Sequence, residues 1–214
     1  MAHLVLLGDS ILDNGAYVGG SPDVVGQLRR LLPVNWDASL RAVDGSMVRD
    51  VPAQAARLPA DASHLVVSAG GNDAIDASHL LGQSVATVAE ALSLLEAAQS
   101  RFARFYGDMV EAVLALGLPM ALCTIYDTPP SAPDQRLIRA ALALFNDEIA
   151  RAAFSRGLAL IDLRLICTAD EDYANPIEPS AAGGAKIAAA IARWAAEARE
   201  RPVRSVIYAG RAGM

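Results

Sequence analysis

Long hydrophobic runs are missing from this chain. Its longest alanine-rich stretches carry Glu, Arg or Lys and fall short of the roughly 18 to 20 uninterrupted apolar residues a membrane-spanning helix needs. A helical membrane span is therefore not expected. Clusters of Lys and Arg are missing too, and with a formal charge of −6 the sequence offers no footprint for a nucleic-acid backbone or an anionic membrane surface. Neither is an expected partner. Cysteine is reduced to two positions, Cys123 and Cys167, whose spacing suits neither a metal site nor a redox pair. Buried free thiols in a reducing compartment, the cytoplasm, are the expectation. The opening MAHLVLLGDS agrees, since it has no basic leader and its apolar stretch ends in a turn rather than a small-residue cleavage site. No P-loop and no G-x-G-x-x-G pattern follows any predicted strand, which weakens a nucleotide or phosphate binder built on the Gly70-Gly71 turn. There is no internal repeat and no linker of distinct composition, so residues 1–214 read as one domain.

What is present is an alternation. Short apolar runs rich in Val, Leu and Ile recur between longer amphipathic stretches, the pattern of a buried parallel sheet with helical crossovers. They predict strands over 3–7, about 37–43, 65–68, 120–124 and 158–161, and helices over about 23–32, 47–58, 84–116, 134–156 and 181–200. Ser21-Pro22 reads as the opening of the first helix, Gly117 followed by Pro119 as the close of the third, and Gly157 as the close of the fourth. Phe102, Phe105 and Met109 read as the core face of the third helix rather than a lipid groove. Five strands joined by helices imply an α/β fold of three layers, a doubly wound, flavodoxin-like sandwich around a five-stranded, mainly parallel sheet. Such sheets bind ligands outside the carboxyl ends of their strands, so the chemistry is expected in strand-to-helix loops. The apolar run 206–208 fits an edge strand, a dimer contact or a loose tail, and the sequence does not set the oligomeric state.

Four loops at strand exits or helix starts stand out. The first reads Gly8-Asp9-Ser10, placing a hydroxyl where the next helix is expected to begin. The second reads Val43-Asp44-Gly45-Ser46, the third Gly70-Gly71-Asn72-Asp73, and the fourth Asn175-Pro176-Ile177-Glu178-Pro179-Ser180 before the last helix. A nucleophilic hydroxyl needs a base to take its proton and donors to hold the oxyanion that forms when it attacks a carbonyl. The amides of Ser10 and Gly45 and the side-chain NH2 of Asn72 supply three donors if these loops converge. Taken alone, Ser10 also suits a helix N-cap, and Asn72-Asp73 an Asx turn. Asp9 and Asp13 flank Ser10 and read as structural or substrate-positioning residues. Tyr126, beyond the fourth strand, suits a pocket wall or an ordinary loop.

The blocks Gly8-Asp9-Ser10-Ile11, Gly45, Gly70-Gly71-Asn72-Asp73 and Pro179-Ser180-Ala181-Ala182-Gly183-Gly184 resemble, in order, those of the SGNH hydrolases, the esterase group also called GDSL lipases. The resemblance implies a serine hydrolase of small esters or acyl groups, with Ser10 as nucleophile and an oxyanion hole from Ser10, Gly45 and Asn72. No metal or organic cofactor is implied. The last block departs from the family's Asp-x-x-His-Pro: Asn175 stands for the Asp and Glu178 for the His. None of the three histidines is a ready substitute, since His3 and His64 begin strands and His79 lies in the insertion over residues 73–83, from which it alone could swing in; the sequence does not set whether that insertion is a lid. The paired change keeps the charge count, because a Glu held by an Asn carries one negative charge, as does a neutral His held by an Asp. Glu178 is then the candidate base, although an ordinary Glu is about two units less basic than His, roughly 3 kcal/mol of driving force. The rival reading is a binding module for a sugar or acylated ligand that keeps the pocket without turnover.

Overall fold

The computed structural model describes residues 2–197 and the backbone of residues 207 and 208. Strand β1 (Ala2–Gly8) lies between β2 (Trp36–Leu40) and β3 (His64–Ser68), followed by β4 (Met120–Cys123) and β5 (Ala159–Ile161), and every pairing among them is parallel. This is the expected five-stranded sheet, in the order β2-β1-β3-β4-β5. The strands read as unbroken apolar runs because both faces are covered. In β1, Leu4 and Leu6 pack with α1 (Val24–Leu31) and α6 (Ala181–Glu197). Val5 and Leu7 face the other way, toward α2 (Val51–Ala55), α4 (Val88–Leu114) and α5 (Gln135–Ser155). The chain reverses its winding between β1 and β3, so their carboxyl ends open on the crevice where a doubly wound sheet binds ligands.

Several boundaries differ from the sequence expectation. Asp23, not Ser21-Pro22, caps α1 by accepting the Gly26 N–H at 2.8 Å. The helix expected over 47–58 is a 3₁₀ turn (Val48–Asp50) leading into the short α2. The helix expected over 84–116 starts at Val88, where Thr87 Oγ1 accepts the Glu90 N–H at 3.1 Å. Its core stripe runs Ala98, Phe102, Tyr106, Met109, Val113, and Phe105 falls on the flank, 41% exposed with the Arg104 guanidinium 5.1 Å from its ring centre. The insertion over 73–83 is folded as α3 (Gly71–Ala77) and a 3₁₀ turn (Ser78–Gly82), which continue directly from β3.

Two features go beyond the five-stranded sheet. Strands β6 (Tyr173–Asn175) and β7 (Glu178–Pro179) form a separate antiparallel hairpin, too short for any periodicity to announce it. Strand β8 (Ile207–Tyr208) pairs parallel with β5 as a sixth strand, which selects the edge strand among the readings of that run. Residue 206 and the expected last turn of the final helix, 198–200, lie outside the described residues. Among the described residues, no helix is long and apolar enough to cross a membrane.

Candidate active site

Ser10 is placed by an unusually close strand exit. Gly8 ends β1 at φ +127°, and any side chain there would run into the Ser68 carbonyl of β3. Only glycine fits both constraints. The chain then coils tightly: the Asp9 N–H donates to the Ser68 carbonyl at 3.1 Å, and Asp9 Oδ1 accepts the Ile11 N–H at 3.2 Å. No α-helix begins at Ser10, contrary to expectation, because the chain runs on through a 3₁₀ turn before α1; the hydroxyl therefore caps nothing. Instead Ser10 Oγ donates to Glu178 Oε1 at 3.0 Å, and both residues are buried.

Glu178 reaches that position on the hairpin. Tyr126 Oη donates to the Ile177 carbonyl at 2.9 Å, and Asn14 Nδ2 donates to the Pro179 carbonyl at 3.2 Å while Asn14 Oδ1 accepts the Val24 N–H at 2.9 Å. Asn175, however, does not hold Glu178. Its Oδ1 accepts the Ile177 N–H at 2.9 Å, so the amide closes an Asx turn at the exposed hairpin tip, and Glu178 Oε2 has no partner among the described residues. Burial pushes the Glu178 carboxyl above the usual range; the Ser10 hydrogen bond opposes this and the charge of Asp44 adds to it.

Side chains tie the second and third loops to each other and to the first. Asn72 Nδ2 donates to the Ser46 carbonyl at 2.9 Å, which sets the third loop against the second and leaves its other amide hydrogen available. Asp13 Oδ2 accepts the Asp44 N–H and Asp73 Oδ2 accepts the Val48 N–H, each at 3.0 Å. Gln54 was not singled out in the sequence, yet it pairs with both backbone groups of Gly8 at 2.7 and 2.8 Å and donates to Ser46 Oγ at 3.1 Å. A lone Gln in a short helix carries no signal for such a clamp. Gly45 sits at φ +79°, and neither its N–H nor that of Ser10 donates to any acceptor among the described residues.

Asp9 lies fully buried beside this group. Burial raises its pKa to about 7, the Ile11 N–H lowers it, and the charges of Glu178 and Asp73 raise it further. The histidines stand elsewhere: His3 donates to Asp61 at 2.9 Å, His64 packs tilted against Trp36 with ring centres 4.6 Å apart, and the exposed His79 donates to the Asp76 carbonyl at 2.7 Å. Among the described residues no group of three or more His, Cys, Asp or Glu stands together as metal ligands.

A cavity of about 270 Å³ is lined by Ile11, Gly71 and Ile177, the chain neighbours of Ser10, Asn72 and Glu178, by Tyr126, and by side chains of α3, α4 and α5. The model of the GDSL-like lipase/acylhydrolase family matches residues 6–186, a span that takes in all four loops. The chain belongs to that family. Solved structures of the same fold include a lipolytic G-D-S-L family protein from Veillonella parvula (13% identity, 94% of this chain and 100% of that one, TM-score 0.68). An α/β hydrolase from the Lake Arreo metagenome matches at 21% identity over 92% of this chain and 94% of that one, with a TM-score of 0.67. A catalytic mutant of an acetylxylan esterase from Geobacillus stearothermophilus matches at 16% identity over 93% and 95%, with a TM-score of 0.65. No curated protein matches the chain in sequence. In this GDSL-like chain Glu178, at the position for which the resemblance called for histidine, is buried.

Proposed function

We propose that this protein is a serine esterase that cleaves small esters or acyl groups through an acyl-enzyme on Ser10, with Glu178 as the base. The observation that carries this is the 3.0 Å hydrogen bond from Ser10 Oγ to Glu178 Oε1 between two buried side chains, within reach for proton transfer. Glu178 takes the Ser10 proton as Oγ bonds to the ester carbonyl carbon. The resulting oxyanion is held by the N–H groups of Ser10 and Gly45 and the second amide hydrogen of Asn72. Collapse breaks the bond to the alcohol, which leaves with the proton from Glu178. Water then attacks the acyl-enzyme, again giving its proton to Glu178, and Ser10 recovers its proton as the acid departs. The unpartnered Oε2 and the burial of the carboxyl support the reading, because both disfavour the anion and so make it a stronger base than an exposed Glu. The two free, buried thiols support a cytoplasmic setting.

The test is hydrolysis of p-nitrophenyl esters by Glu178→Gln, which keeps size and hydrogen bonding but takes no proton. kcat is expected to fall by about a hundredfold to ten-thousandfold, with a fluorophosphonate still marking Ser10 in the wild type. Full activity in Glu178→Gln removes Glu178 from the mechanism. An inert wild type alongside an active Asn175→Asp, Glu178→His double variant makes the protein a binding module.

A further inference from the structure

The cavity lined by Ile11, Gly71 and Ile177 is larger than an acetyl group needs. Each of the three central residues has a chain neighbour in its wall: Ile11 follows Ser10, Gly71 precedes Asn72 and Ile177 precedes Glu178. From there it runs about 270 Å³ between α3, α4 and α5, lined mainly by apolar side chains such as Ala74, Leu80, Leu95, Leu142 and Phe145. An apolar cavity of about 150 Å³ accepts benzene, so this one has room for on the order of ten carbons. A sugar would leave its hydroxyls unpaired against such a wall. Polar side chains are few, with Asp127 and Thr128 among them, and Asp127 is already 3.8 Å from Arg139.

Resting on the Ser10 mechanism proposed above, we infer that this cavity takes the acyl chain of the ester and selects medium-chain acyl groups over acetyl. The acyl part stays bonded to Ser10 through both steps whereas the alcohol leaves after the first, so the walled space suits the former. Each methylene buried is worth about fourfold in binding.

The experiment is a series of p-nitrophenyl esters from acetate to decanoate, with calorimetric titration of 1-decanol into Ser10→Ala. kcat/KM is expected to rise at least tenfold from acetate to octanoate, and 1-decanol to bind. Ala141→Trp and, separately, Ala74→Trp fill the cavity from α5 and from α3; each should lower the octanoate-to-acetate ratio at least tenfold, with melting curves confirming that at least one variant is folded. Fastest hydrolysis of acetate with no 1-decanol binding overturns the inference and leaves the Ser10 mechanism standing, as does a preference for decyl acetate over octanoate esters. Absence of all hydrolysis with 1-decanol bound overturns the mechanism and leaves the cavity as an alkyl-chain site.

Discussion

Asn72 and Asp9 act by different physics. Asn72 has one amide hydrogen engaged by the Ser46 carbonyl and one available, so Asn72→Ala removes a preorganised donor. kcat is expected to fall about a hundredfold to a thousandfold with little change in melting, and a pure KM effect would make Asn72 a substrate clamp instead. Asp9 is a cost to the fold. Its pKa rises from 3.8 to about 7 in the native state, so between those values the unfolded chain releases a proton that the folded chain keeps, and stability falls as pH rises through that window. The rise corresponds to about 4 kcal/mol at roughly 1.36 kcal/mol per unit. Asp9→Asn should match the wild type near pH 4 and exceed it at pH 8 in chemical denaturation; equal stability at both pH values would show that Asp9 is solvated. On the proposed mechanism the raised pKa of Glu178 predicts, in a pH–rate profile, that kcat/KM falls as pH drops through a value above that of an ordinary Glu and holds through neutrality.

At the scale of elements, the hairpin of β6 and β7 is what delivers Glu178, and two hydrogen bonds from outside it, from Tyr126 and Asn14, hold its backbone. Tyr126 supplies one of these to the Ile177 carbonyl. Tyr126→Phe keeps the ring that packs edge-on against Tyr173 at 5.1 Å and loses only the hydroxyl. The expected result is a loss of about 1 kcal/mol, a drop of roughly 2 to 4 °C in Tm, with kcat reduced several-fold and the pH limb unmoved. A shifted pH limb would mean that Tyr126 acts on the charge of Glu178 rather than on its position. The hairpin itself could not be read from periodicity, since two and three residues define no period. Asn175 was legible as an unusual residue, but its role followed from a bond to the Ile177 N–H two positions away rather than from the charge pairing that the family pattern suggested.

At the scale of the molecule, the two faces of the sheet bury separate apolar clusters. Cys123, on β4, and Cys167, near the hairpin, both belong to the cluster beneath α1 and α6. Burial pushes the Cys123 thiol well up and the Cys167 thiol to about 12. Neither should react with a thiol reagent at pH 8 until the protein unfolds, at which point both should react in one cooperative phase; labelling of either in the native state would show an opening short of global unfolding. Exposed Val88 and Leu92 continue the line of Leu95 along α4 at helical spacing, so the apolar lining of the cavity runs outward onto the surface rather than ending at its mouth.

Short-range chemistry is what the chain determined unaided. Unbroken runs such as Leu4 to Leu7 announce strands covered on both faces, glycines at 8, 45 and 70 announce turns that L side chains enter poorly, and hydroxyl and amide groups beside those turns announce a site. These signals are local because a strand period or a positive φ involves only a few consecutive residues. The tertiary structure alone decided that Ser10 and Glu178, 168 positions apart, share a hydrogen bond. It also decided that Gln54 clamps Gly8, that Asp9 is desolvated, and that α3, α4 and α5 enclose an apolar cavity. Partner choice and burial depend on how the sheet closes and what covers it, and no window along the sequence contains both sides of such a contact.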